Sequence, residues 1–91
     1  MDSADASMMP RQRSRVAAQQ AAGTWVLLDV DSGRYYALDD VGGRIWHLCD
    51  GSRTVAQIAE VIGLEYDGAG AAVQEDVAAF VSELVHESLL H

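Results

Sequence analysis

The side chains able to do chemistry are few and poorly spaced for it. His47 and Cys49 stand two residues apart. On a helix such positions point to different sides, so the pair fits neither a nucleophile with its base nor two ligands of one metal. Cys49 reads instead as a small core residue. His86 and His91 fall in the last helix and at the last position, without a partner at ligand spacing. Ser32 lies in Asp31-Ser32-Gly33, a turn rather than a helix start, and so lacks the setting of a serine that carries phosphopantetheine. Glu75 with Asp76, and Glu83 with Glu87, suit an exposed helix face better than acid–base work. With no phosphate loop, metal spacing or triad, the sequence predicts a protein that is not an enzyme and needs no cofactor or metal.

The elements that position these residues change type at one place. Trp25 to Val30 and Arg34 to Leu38 are strand-like, and Gly33 between them can take positive φ, so the two predict a β-hairpin. Val16 to Gln20 is a third, less pronounced strand. Asp39 or Asp40 then caps a helix whose apolar positions are Val41, Ile45, Leu48 and Cys49, with Trp46 beside them. Asp50-Gly51-Ser52 breaks it. Thr54 with Gln57 has the spacing of a capping box before a second helix with the stripe Val55, Ile58, Ala59 and Ile62. Gly63 weakens its last turns, Asp67 is a candidate cap in the Asp67-to-Gly70 loop, and a third helix follows. Its broad apolar face is Val73, Val77, Phe80, Val81, Leu84 and Val85; Gln74, Glu75, Ser82, Glu83 and Glu87 lie mostly opposite. The fold class is α+β, a three-stranded antiparallel sheet followed by three helices, with α-helices two and three resembling a winged helix-turn-helix.

Composition sets further limits. The 91 residues are 49% hydrophobic and make one domain, with residues 1–13 expected as a flexible tail and 14–91 as the folded unit. Fourteen acidic residues stand against six arginines and no lysine, a formal charge of −8, which repels nucleic acid and anionic lipid. The presumptive recognition helix bears Glu75, Asp76 and Glu83 but no Lys or Arg, so DNA is not the expected partner. One cysteine, no apolar run of roughly 20 residues and no signal-peptide core predict a cytoplasmic protein with no membrane contact.

The run Tyr35-Tyr36-Ala37-Leu38-Asp39-Asp40-Val41-Gly42-Gly43-Arg44-Ile45-Trp46, then Leu48, Asp50-Gly51 and Thr54-Val55-Ala56-Gln57-Ile58-Ala59, resembles the PqqD family. Asp76, Phe80, Leu84 and Leu89-Leu90 continue the likeness, which covers residues 15 to 90. The resemblance implies a small winged-helix-like domain that acts as a peptide chaperone. In that role it holds the leader of a ribosomally made, post-translationally modified precursor peptide for a modifying enzyme. This chain departs from the family in two places. Ser88 stands where a glycine is usual before the terminal aliphatic pair, and the Asp67-Gly68-Ala69-Gly70 stretch lacks the usual proline and glutamate.

Strand physics suits that role. If the first strand pairs with the outer side of the hairpin, Arg34 to Leu38 becomes an open edge whose backbone an extended peptide can pair with. The expected binding residues are Arg34, Tyr35, Tyr36, Ala37 and Leu38 on the strand, with Val77, Phe80, Val81 and Leu84 on the third helix. Asp76 and Glu83 are placed to meet a Lys or Arg of the leader. Alternation leaves open which of Tyr35 and Tyr36 faces inward. Expected partners are a precursor leader peptide and a modifying enzyme. That enzyme is either one of the radical SAM type, as in making pyrroloquinoline quinone, or the leader peptidase and cyclase of a lasso-type pathway. A weak homodimer through the strand edge is a further expectation. An acidic winged-helix protein of transcriptional or structural function is the alternative outside this class.

Overall fold

Two tight reversals build the sheet. Ala22 and Gly23 take φ of 52° and 80°, the two-residue turn with positive φ at both central positions that matches strand twist. Gly33, at φ 76°, closes the second reversal. The computed structural model describes residues 6–66 and 70–91 and gives the order β1 (Val16–Ala21), β2 (Thr24–Asp29), β3 (Tyr35–Leu38), α1 (Asp40–Leu48), α2 (Val55–Glu65) and α3 (Gly70–His86). This is the expected sheet of three strands followed by three helices. The strands pair antiparallel in the order β1-β2-β3, with Trp25 opposite Leu38 and Leu27 opposite Tyr36.

That register settles the facing of the tyrosines. Opposed residues share a face, so Tyr36 lies on the side of buried Leu27 and Leu38, while Tyr35 lies on the outer side and is 73% exposed. Asp29, also inward, is buried beneath the hairpin turn. Its carboxylate accepts from the Asp31 N–H at 3.0 Å and pairs with Arg15 Nε at 3.3 Å.

The first two helices start as their sequences require. Asp39 is the cap of α1, its Oδ1 accepting from the Gly42 N–H at 2.7 Å. Thr54 and Gln57 form the reciprocal capping box of α2, at 2.8 and 3.1 Å. The α2 helix continues through Gly63 to Glu65, and Gly70 already belongs to α3; Asp67, the candidate cap, lies outside the described residues. At the far end of α3, Ser88 takes φ 62°, the Leu89 N–H reaches the Leu84 carbonyl at 2.9 Å and the Ser88 N–H reaches that of Val85 at 3.0 Å. This is the left-handed helix stop that glycine usually provides. It turns Leu89 and Leu90 into the core, where they join Leu27, Trp46, Ile58 and Val81.

Of the expected tail, residues 1–5 lie outside the described residues, and the rest departs from expectation. Residues 6–13 do not hang free as a tail but are bonded along the body. The Met8 carbonyl accepts from Val55 N–H, the Pro10 carbonyl from Gly51, and Arg11 exchanges backbone bonds with His91. Pro10 is fully buried. Composition concealed this because the attachment runs through backbone groups, which polar and small residues supply as well as apolar ones.

Candidate functional site

The β3 edge offers its backbone in a defined pattern. The Asp29 N–H donates to the Arg34 carbonyl at 2.9 Å, and antiparallel pairing alternates from there. Arg34, Tyr36 and Leu38 therefore turn their backbone groups toward β2, and Tyr35 and Ala37 turn theirs outward.

Beside that edge runs a groove of about 480 Å³ between β3 and α3. Leu38, Val41, Ile45, Ile62, Val77 and Phe80 give it apolar walls, Asp39 and Asp76 are its acidic members, and Tyr66 and Val73 complete it. Gly42 makes the closeness of its walls possible. A Cβ there would stand 3.2 Å from Phe80 Cζ and 3.3 Å from Leu38 Cβ. Gly43 does the same on the other side of α1, where a Cβ would overlap the Trp25 ring.

At the other end of β3 the gap is bridged. Glu87 Oε1 accepts from Tyr36 Oη at 3.0 Å and from Arg34 Nη2 at 3.2 Å, and the Arg34 guanidinium lies 5.5 Å from the centre of the Tyr36 ring. Loss of hydration, then the bond to Glu87, push the Tyr36 phenol above its ordinary pKa. Positions 76, 80, 83 and 87 recur at helical spacing, so Asp76, Phe80, Glu83 and Glu87 form one stripe of α3 alongside β3.

The sequence-derived residues thus divide. Ala37, Leu38, Asp76, Val77 and Phe80 meet in the groove; Arg34 and Tyr36 stand at its bridged end; Glu83 is exposed on the same stripe. Tyr35 contributes outward backbone while its ring is on the opposite face of the sheet. Val81 and Leu84, 0% and 4% exposed, are core behind the groove rather than its lining. Periodicity marks the apolar face of α3 as a whole, and only packing separates its core half from its groove half. The reading missed Val41, Ile45 and Ile62, core-like positions by spacing, and Tyr66. It also missed Glu87, assigned to the outer face, which the helix instead brings to Tyr36. Gly42 was the available signal, since a glycine pair inside a helix marks a close approach.

The candidate nucleophile, base and carrier residues stand apart from one another. Burial, with the neighbouring Asp50 charge second, pushes the Cys49 thiol up to about 12, so it is not a nucleophile. His47 is apart from it, exposed, with its Nδ1 2.7 Å from the Gly43 carbonyl. Ser32 sits in the hairpin turn, its Oγ accepting from Arg34 N–H at 3.2 Å. Among the described residues no cluster of His, Cys, Asp or Glu could hold a metal ion, and no helix is long and apolar enough to cross a membrane.

Comparison with known proteins gives consistent matches. The family model described as Coenzyme PQQ synthesis protein D (PqqD) matches residues 24–90. A PqqA binding protein of Rhodopseudomonas palustris (strain HaA2) is 32% identical over 83 residues, covering 91% of this chain and 78% of that protein. Among solved structures, a lasso peptide synthetase B1 complexed with the leader peptide has a TM-score of 0.81 at 26% identity, covering 92% of this chain and 99% of that one. The solution structure of the PqqD truncation of Methylobacterium extorquens PqqCD, described as a functional and stand-alone RiPP recognition element, has a TM-score of 0.82 at 28% identity. It covers 99% of this chain and 96% of that one.

Proposed function

The chain belongs to the PqqD family, and from that premise we propose that it is a non-catalytic recognition element that binds the leader of a ribosomally made precursor peptide and presents it to a modifying enzyme. The observation that carries this reading is the open β3 edge lying along an apolar groove. Tyr35 and Ala37 offer unpaired backbone groups to a fourth strand, and alternate side chains of that strand enter the space between Leu38 and Phe80. Backbone bonds supply affinity and the groove supplies selection. Asp39, Asp76 and Glu83 favour a leader carrying Lys or Arg next to its apolar anchors.

The modifying enzyme is a radical SAM enzyme in the reading that follows the PqqA binding relatives, with pyrroloquinoline quinone as the pathway's product. The likeness to a leader-bound lasso synthetase subunit supports a second reading, in which a leader peptidase and its cyclase are served instead. Either role is cytoplasmic. Without leader, the same β3 edge is free to pair with a second copy as a weak homodimer.

The test is an amide-shift NMR titration with the leader of the precursor encoded beside the gene. Shifts gathered on Arg34 to Leu38 and along Asp76 to Glu83 are expected. Unchanged spectra at high peptide excess would remove the recognition reading for that peptide.

A further inference from the structure

Tyr66 belongs to two depressions. One is the groove beside β3; the other, about 410 Å³, is walled by Trp25, Asp40, Arg44, His47 and Tyr66. The second is built, not incidental. Trp25 occupies the space that a Cβ on Gly43 would need, and its ring packs against His47 with centroids 4.5 Å apart and planes tilted by 59°.

The guanidinium and one imidazole nitrogen of this depression are already committed. Arg44 holds Glu65 through two bonds, Nε at 2.8 Å and Nη2 at 2.7 Å, and the proton on His47 Nδ1 goes to the Gly43 carbonyl at 2.7 Å. Arg44 therefore brings no free charge for an anion. What remains uncommitted is aromatic surface on Trp25 and Tyr66 and the exposed carboxylate of Asp40, which accepts no hydrogen bond from any described residue. Aromatic faces with an unpaired carboxylate are complementary to an organic cation.

We propose that this depression is a cation subsite taking the guanidinium or ammonium group of an arginine or lysine, held against Trp25 and Tyr66 and paired with Asp40. The source of the cation rests on the leader-binding reading. A peptide that continues the antiparallel pattern of the sheet along β3 runs from the Leu38 end to the Arg34 end. Residues preceding its paired segment therefore pass Leu38 and reach the start of α1 and Tyr66. The recognised residue is accordingly an Arg or Lys a few positions N-terminal to the part of the leader that adds as a strand. Tyr66, shared by both depressions, joins the two contacts into one continuous path.

The two tryptophans make the test internally controlled, because Trp25 is half-buried and Trp46 is 1% exposed. The protein is titrated with N-acetyl-arginine amide while the indole N–H signals are followed. A saturable shift of Trp25 with Trp46 unmoved is expected, with N-acetyl-leucine amide giving none. Asp40→Asn should weaken the arginine response about fivefold, the scale of an exposed ion pair. A Trp25 signal that stays still, or moves equally with the leucine compound, overturns the subsite. The leader peptide then separates the two ideas. Shifts on Ala37 without Trp25 overturn the subsite and leave strand addition standing; no shifts on either remove strand addition for that peptide, while the arginine amide still decides the subsite by itself.

Discussion

The sheet has two open edges, and they are unequal in the direction opposite to simple expectation. The β1 edge is the longer, six residues against four, and by the same alternation that exposes Tyr35 and Ala37 it turns the backbone groups of Ala18 and Gln20 outward. It carries alanine and glutamine, with no charged residue anywhere from Val16 to Leu28. Backbone availability alone would thus favour β1 for strand addition. What β1 lacks is a wall: it packs chiefly on β2, whereas β3 lies along α3 with a groove of about 480 Å³ between. A strand added to β1 would gain backbone bonds and little else. One added to β3 would also bury every second side chain, which distinguishes one peptide from another.

The largest effect is expected where that comparison is broken at the backbone. Ala37→Pro removes one outward N–H without touching the bonds to β2, a position where an edge strand tolerates proline. Peptide affinity should fall roughly tenfold to a hundredfold, since a peptide carbonyl is left unpaired in the complex. Ala18→Pro makes the same change on β1 and should leave affinity within about twofold. Isothermal titration of both variants with the leader checks this, with circular dichroism confirming the fold. Equal losses would mean that the groove does not choose the edge.

A second pair sharpens the boundary between groove and core on α3. Phe80→Ala removes a partly exposed groove wall, so affinity for the leader should drop about tenfold at a modest stability cost. Val81→Ala, one residue on and fully buried, should cost about 2 kcal/mol of stability while affinity stays within about twofold. Denaturant unfolding beside peptide titration gives both numbers for each variant.

This pair also shows where sequence reading ends. Strands, the first two helix starts and the open edge were legible because each is a local pattern: a run of strand-favouring residues at Trp25 to Val30, a capping box at Thr54 and Gln57, a turn glycine at Gly33. Leu38, Val77 and Phe80 followed from apolar spacing. Separating them from Val81 and Leu84 requires knowing how closely α1 approaches, and that is decided by Gly42 and Gly43 against Leu38, Phe80 and Trp25. The attachment of residues 6–13 was hidden for a different reason. Its bonds are backbone to backbone between distant segments, such as Arg11 with His91, and side-chain identity barely records them.

The hairpin that presents β3 should also respond to acid. Asp29 is desolvated, which raises its pKa, but the bonds from the Asp31 and Ser32 N–H groups and from Arg15 outweigh this and leave it below its ordinary value. A carboxylate held low in the folded state stabilises that state above its unfolded pKa, and the contribution is lost as pH falls through the folded one. Stability should therefore decline only below about pH 4, the ordinary carboxylate range, with amide signals of Asp31 and Ser32 titrating together. Asp29→Asn should flatten that decline. Because Asp29 lies under the turn joining β2 to β3, leader affinity should fall with it, while signals from the Ala22-Gly23 turn at the β1 side stay in place.

The smallest effects concern two residues that hold positive φ without being glycine. Ser88, at 62°, ends α3 beside the groove, and Ala22, at 52°, turns β1 into β2 away from it. Left-handed backbone costs a residue with a Cβ roughly 1 kcal/mol, so Ser88→Gly should stabilise the protein by about 0.5 kcal/mol after the extra freedom of glycine in the unfolded chain is subtracted. Ala22→Asn should give a similar gain, because asparagine accepts this conformation at the first position of such a turn. Thermal unfolding would show each as a rise of about 2–4 °C. The two should part in peptide binding. Fixing the end of α3 holds Glu87 against Tyr36 and Arg34, so Ser88→Gly should tighten leader binding slightly. Ala22→Asn acts on the strand that faces no groove and should leave binding unchanged, and a gain there would implicate β1 in recognition after all.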